Sequence, residues 1–296
     1  MWPLVTAEAQ LSGRPNTQWG TGAVAPNAVV IPEEGDSHPR GGETVVAMCL
    51  GGFSLYLRGE VVSPARWATR KGGRGLVAGV MAYLVAHRHQ RITRERLVDI
   101  FWDQVDGDRA SQSLDRTISA LRRALEPGLR RYGQSAYILG PRGGYRFSSE
   151  VDLAIDAEEF VARFKQAAEA ERREDLDTAA RLYQQADAVY AGPFMDGVPY
   201  AELWCHHQRQ LLADYHRTAL TRLTRLAWLS RDFDRVTGYA HRVLDEYGCQ
   251  AEVCRRLTDA YIEDGTTAMA LRHVECCPLR RLAGGPCIEL AGVSRR

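Results

Sequence analysis

The segment Arg109 to Leu125, RASQSLDRTISALRRAL, constrains this chain most. Ala110, Leu114, Ile118, Leu121 and Leu125 recur at steps of four, four, three and four, which sets them on one stripe of an α-helix. Arg109, Gln112, Arg116, Ser119 and Arg123 fall on the opposite side. A helix that buries one face and shows Arg, Gln and Ser on the other is either a surface helix with a solvated basic face or a helix that lies in a DNA major groove. The segment alone does not choose between them, and its flanks must.

Upstream, Gly75 to Arg88 reads as an apolar helix with Leu76, Val80, Met81, Tyr83 and Leu84 toward a core. After the break at His89–Ile92, Thr93 is placed to cap a second helix, Arg94 to Trp102, because its hydroxyl can accept from an unpaired backbone N–H. That helix turns Leu97, Ile100 and Phe101 inward, and the acidic turn at 103–108 suits the positive end of the helix that follows. Downstream, Pro127-Gly128 stops the arginine-faced helix. Tyr137-Ile138-Leu139 and Tyr145-Arg146-Phe147 then flank a Gly/Pro turn with Arg142 at its tip, the pattern of a β-hairpin. Three helices and a hairpin make a winged helix-turn-helix. In that frame Arg116, Ser119 and Arg123 face bases, Gln112, Thr117 and Arg122 flank them at positions suited to phosphate, Arg109 on the same face is a further DNA-contacting candidate, and Arg142 reaches the backbone or the minor groove.

The run Ser113-Leu114-Asp115-Arg116-Thr117-Ile118-Ser119-Ala120-Leu121-Arg122-Arg123 resembles the recognition helix of OmpR/PhoB-type winged helices, and Gly-Gly-Tyr-Arg-Phe at 143–147 is similar to their wing. The resemblance spans about 48–147. Ala120 stands where that family often places a DNA-contacting Arg, which moves the expected base contact to Arg116. Charge points the same way. The whole chain carries a net charge of only +1, yet residues 51–150 hold 17 Lys/Arg against 9 Asp/Glu, whereas 151–296 hold 19 against 23. Positive charge is thus concentrated on the segment expected to meet phosphate.

The second half reads as helical. Asp156 is placed to cap a helix running to about Arg173 with Phe160, Phe164 and Ala167 inward. A short turn followed by small residues, Leu-Tyr and Ala at 175–186 is similar to a tetratricopeptide-type hairpin, comparable units recur at 232–247 and 251–265, and Tyr200 to Ser230 forms one long amphipathic stretch. Phe160, Leu182-Tyr183-x-x-Ala186, Tyr190-Ala191-Gly192-Pro193-Phe194, Trp204, Arg209-x-x-Leu212 and Glu252-x-x-x-Arg256-Leu257-x-x-Ala260-Tyr261 resemble the bacterial transcriptional activator domain. That domain follows an OmpR-type winged helix in the SARP (AfsR/DnrI-like) family of regulators, and the two resemblances together span about 48–272. The resemblance implies an activator that dimerises on direct repeats of double-stranded DNA and contacts RNA polymerase.

The expected fold class is mainly α with small β, a winged helix-turn-helix followed by an all-α tetratricopeptide-like domain. Expected boundaries are a disordered extension at 1–47 with Met48 as natural start, a winged helix at 48–149, a helical domain at 150–275 and an irregular tail at 276–296. Cys205-His206-His207 points its side chains about 100° apart on a helix, so no metal site is expected there. The basic loop at 70–75 lacks P-loop order, no catalytic motif occurs, and neither an enzyme nor a cofactor is expected. Seven cysteines at irregular spacing and no long apolar run fit a reduced, cytoplasmic protein with no membrane partner. A helical-repeat interaction module with a degenerate winged helix is the alternative.

Overall fold

The computed structural model describes residues 44–62, 73–130, 133–140 and 143–276. They fall into two compact units. The first comprises described residues of 44–159 and 189–212, the second those of 160–188 and 213–276.

The first unit opens with a four-stranded sheet, β1 (Thr44–Met48), β2 (Ser54–Leu57), β3 (Glu60–Val61) and β6 (Asp152–Ile155), in the order β3-β2-β1-β6. β1 runs antiparallel to β2, with Val45 opposite Leu57, and parallel to β6, with Val45 opposite Leu153. Alternation sets the core face: Val45, Ala47, Leu55, Leu153 and Ile155 are all buried. The two-residue turn Arg58-Gly59, at φ 53° and 78°, has the left-handed geometry that matches strand twist in a hairpin. The expectation that order begins at Met48 is corrected here. Residues 44–47 form an inner strand, because Val45 and Ala47 supply its apolar face; residues 1–43 lie outside the described residues.

Three helices follow: α1 (Arg74–Ala86), α2 (Arg94–Phe101) and α3 (Gly107–Leu125). Thr93 caps α2, its hydroxyl accepting from Arg96 N at 3.2 Å, and Leu97, Ile100 and Phe101 are buried as the pattern predicts. β4 (Ile138–Leu139) and β5 (Arg146–Phe147) pair antiparallel as the wing. Ile92 lengthens this hairpin by exchanging two 2.7 Å backbone bonds with Tyr145. Gly144, at φ 111°, allows that approach: a Cβ there would stand 2.1 Å from the Ile92 carbonyl oxygen.

The segment 189–212 straps the same unit. Gly51 N donates to Pro193 O and Met195 N to Cys49 O, at 3.0 and 2.7 Å. Pro199 and Tyr200 lie over α1, so close that a Cβ on Gly79 would come 2.6 Å from the Pro199 carbonyl oxygen. Tyr200 packs on Phe101, and Trp204 packs edge-on against Tyr83 and His87. Burial holds the His87 imidazole below its ordinary pKa. Arg209 fastens the strap by donating to Phe194 O and Met195 O at 2.9 and 3.1 Å. The long helix expected from Tyr200 starts later. Tyr200 is left-handed at φ 66°, a short 3-10 turn covers Ala201–Leu203, and α6 runs His206–Leu229.

The remaining helices are α4 (Asp156–Arg172), α5 (Leu176–Val189), α7 (Phe233–Tyr247), α8 (Ala251–Glu263) and α9 (Thr267–Cys276). Within the second unit, Phe164, Ala167, Ala179, Tyr183, Ala219 and Leu223 make one core, and Leu220, Ala240, Val243, Val253, Leu257 and Tyr261 a second. Two polar knots lock these layers. Glu171 accepts from Arg222, Arg225 and the Tyr183 hydroxyl, and Asp187 accepts from Arg242 and contacts His216, which is 1% exposed. The irregular tail expected at 276–296 lies outside the described residues except for Cys276, the last residue of α9.

Candidate nucleic-acid interface

α3 is strongly two-sided. Ala110, Leu114, Thr117, Ile118, Ala120, Leu121, Ala124 and Leu125 are buried, while Arg109, Gln112, Asp115, Arg116, Ser119 and Arg123 are exposed. The exposed row therefore contains Arg109, Gln112, Arg116, Ser119 and Arg123 at steps of three and four, a single stripe about 21 Å long at 1.5 Å per residue. Gln112 and Arg116 stand on successive turns and are joined by a hydrogen bond of 3.3 Å from Arg116 Nη2 to Gln112 Oε1.

Two expected contact residues sit elsewhere. Thr117 is 2% exposed, so the flanking, phosphate-facing position assigned to it is corrected: the residue before Ile118 falls on the shoulder of the apolar stripe and turns inward. Arg122 is half-buried, and its Nε donates to Ile138 O at 3.1 Å, which ties the helix to the wing. Ala120 is 4% exposed. Methyl size suits that site, and a longer side chain there would have to displace core atoms. Arg142, Arg70 and Lys71 lie outside the described residues.

What holds this face in place is a clamp centred on Arg94. Its Nη1 donates to Asp115 Oδ1 at 2.6 Å and to the Tyr145 hydroxyl at 2.7 Å, and its Nη2 donates to Ser111 Oγ at 2.8 Å. One guanidinium thus spans α2, α3 and the wing strand, the fork geometry for which Arg is suited. Asp115 raises the Arg94 pKa further above its already high value. Arg91 Nη1 adds a bond to Gly144 O at 3.1 Å beside the wing.

Comparison with known families agrees with this geometry. Residues 78–147 match the model of the transcriptional regulatory protein C-terminal domain, and residues 155–281 match that of the bacterial transcriptional activator domain. The chain thus carries a transcriptional regulatory C-terminal domain followed by a bacterial transcriptional activator domain. Both matched domains are transcriptional-regulator domains rather than enzymatic ones. No curated protein matches it by sequence. Among solved structures, Mycobacterium tuberculosis EmbR in complex with a low-affinity phosphopeptide shares the fold, with a TM-score of 0.61 at 18% identity, over 79% of this chain and 58% of that one. The chain therefore spans less than two thirds of the EmbR chain.

The clamp residues Arg94, Tyr145 and Ser111 are absent from the set singled out by sequence. A signal for them exists: Asp115 is the one acid in the segment Arg109–Leu125, and an acid beside a basic row is placed to accept from a cation on another element. In Cys205-His206-His207, Cys205 is buried just before α6, and both histidines, the first residues of that helix, are exposed. Among the described residues no group of three His, Cys, Asp or Glu side chains is placed to hold a metal, and no helix is long and apolar enough to cross a membrane.

Proposed function

We propose that this SARP-type protein is a sequence-specific activator that binds double-stranded DNA with α3 in the major groove. The observation that carries this reading is the exposed row Arg109, Gln112, Arg116, Ser119 and Arg123 on a helix braced from two sides, by Arg94 and by Arg122. Arg116 and Arg123 present guanidinium forks suited to guanine O6 and N7, and Ser119 lies between them. Arg109 and Gln112, toward the N-terminal end of α3, serve backbone phosphates, and Arg142, which lies between β4 and β5 in the sequence, reaches the backbone or the minor groove. Arg122 acts indirectly, by holding the helix to β4. Such a protein works in the cytoplasm as a dimer on direct repeats and, by family resemblance, contacts RNA polymerase.

In-vitro selection of bound fragments from the source genome, with the full chain, tests the proposal. A recurrent motif in repeats spaced near one helical turn, roughly 10–11 bp, supports it. Binding without an enriched motif, or none, overturns it and favours a helical interaction module. On the selected site, Arg116→Ala should cost about 1–3 kcal/mol and relax preference at one base position. Arg109→Ala should instead weaken all sequences alike and reduce the salt slope by about one.

A further inference from the structure

The turn between α7 and α8 brings two cysteines together. Gly248, at φ 77°, ends α7, and Gln250 is the N-cap of α8 with extended backbone angles. Cys249 therefore precedes the cap, and Cys254 is the fourth residue of the helix. Those two positions face each other wherever a side chain before a helix packs back on its first turn. Here the facing atoms are sulfurs, 2.9 Å apart, about 0.9 Å more than a disulfide bond. Cys254 is fully buried among Leu244, Cys249 and Val274, whereas Cys249 is half-buried.

We propose that Cys249 and Cys254 are a reversible oxidation site, with Cys249 the attacking thiol, Cys254 the resolving one, and a peroxide as oxidant. The Cys249 thiolate attacks one oxygen of hydrogen peroxide and the O–O bond breaks. This gives Cys249–SOH and a hydroxide, which takes up the thiol proton as water. The Cys254 sulfur then attacks the sulfenic sulfur; the S–S bond forms, the S–O bond breaks, and the Cys254 proton leaves with the oxygen as a second water. Two thiols lose two electrons, and one peroxide becomes two waters. The turn already holds the two sulfurs side by side, so bond formation needs them to approach by about 0.9 Å. It replaces an apolar contact at the start of α8 by a covalent one. The other described cysteines lack this arrangement of a half-buried and a buried cysteine side by side: Cys49 and Cys205 are buried, with burial holding both thiols above their ordinary pKa, and Cys276 is exposed at the end of α9.

Peptide mapping tests the site on the full chain. Trypsin releases Val243–Arg255, which carries both cysteines. After treatment with hydrogen peroxide and alkylation under denaturing conditions, this peptide should carry no alkyl group and be lighter by two hydrogens. Dithiothreitol should restore two alkylation sites. In Cys254→Ser, the oxidised Cys249 should persist as a sulfenic acid that a dimedone probe captures. The proposal is overturned if both cysteines stay alkylatable under conditions that oxidise Cys276, or if Cys249 accumulates as sulfinic acid while Cys254 remains a thiol. It is equally overturned if Cys249 pairs with a different cysteine. Because the decisive readout is on the wild-type chain, it does not depend on the variant folding.

Discussion

Replacing Asp156 by Ala tests how the first unit is tied together. Asp156 is 3% exposed, and three backbone N–H groups donate to it: Cys49 and Ala157 to Oδ1, both at 2.7 Å, and Leu50 to Oδ2 at 3.0 Å. Cys49 and Leu50 are themselves buried just after β1, so Asp156→Ala strands two donors that water does not reach. At about 1–3 kcal/mol for each buried donor left unmade, the loss is about 2–6 kcal/mol. Burial works in the opposite direction on the charge, since it raises the Asp156 pKa from 3.8 to about 6 even though the three donors favour the carboxylate. With the folded value above the unfolded one, the native state binds more protons between pH of about 4 and about 6. The carboxyl therefore stabilises the fold fully below about pH 4, and that contribution fades as pH rises through about 6. Two pKa units correspond to about 3 kcal/mol.

The sign makes a sharp test. Asp156→Ala should be more damaging near pH 4.5 than near pH 7, by a difference on the order of 2 kcal/mol, because only the wild type gains from protonation. An aspartate held ionised by its donors would behave the other way, and its replacement would matter least in acid. Urea unfolding of wild type and variant at about these two pH values, followed by tryptophan fluorescence, measures the difference. Trp102 and Trp204 belong to the first unit and report on it. A mutational loss that shrinks on acidification would refute the argument that desolvation outweighs the three donors.

Further outcomes follow from the same unit. A chain starting at Met48 loses the first four residues of β1, including fully buried Val45 and Ala47, and should lack the thermal unfolding transition that a chain starting before Thr44 retains; calorimetry of both decides it. Gly79→Ala improves helix propensity by about 1 kcal/mol, yet places a methyl 2.6 Å from the Pro199 carbonyl oxygen. It should therefore destabilise by about 1–3 kcal/mol in denaturant titration, and a gain in stability would show the strap to be loosely seated. Arg94→Ala should weaken binding to a selected DNA site severalfold with an unchanged salt slope, because it removes a brace and no phosphate contact; a slope reduced by about one would make Arg94 a phosphate ligand instead.

The helices of the winged fold were legible because each carries its own apolar period, as Leu114, Ile118 and Leu121 do in α3. The wing was legible from its aromatic runs and glycines. β1 was not, since Thr44–Met48 is a short apolar run whose meaning comes from pairing with β6, more than a hundred residues away, and periodicity carries no information about a distant partner. The strap was hidden for a similar reason. Tyr200 and Trp204 look like part of an amphipathic helix, and only the left-handed φ of Tyr200 and the contact with Gly79 show that they serve the winged-helix unit. Helix spacing also failed at Thr117. It is one step from the exposed Arg116, and a 100° rotation from the rim of a basic face falls on the core side once the apolar stripe is as wide as it is in α3.

That width has a consequence for specificity. With Thr117, Ala120 and Ala124 buried, the free face of α3 narrows to one row, and Asp115 beside it is occupied by Arg94. A single row of long side chains on one helix reads few bases, roughly three or four. One such half-site recurs often by chance in a genome, and a wrong base pair costs only about 1–3 kcal/mol at each position. A regulator built on this face must gain selectivity by engaging two half-sites at once. A single half-site should therefore bind the full chain far more weakly than a pair at one-turn spacing, and inserting about five base pairs between the halves should abolish the advantage by rotating them to opposite faces of the duplex. Electrophoretic titration of the three DNAs measures this directly. Equal affinity for all three would mean that the specificity lies outside α3.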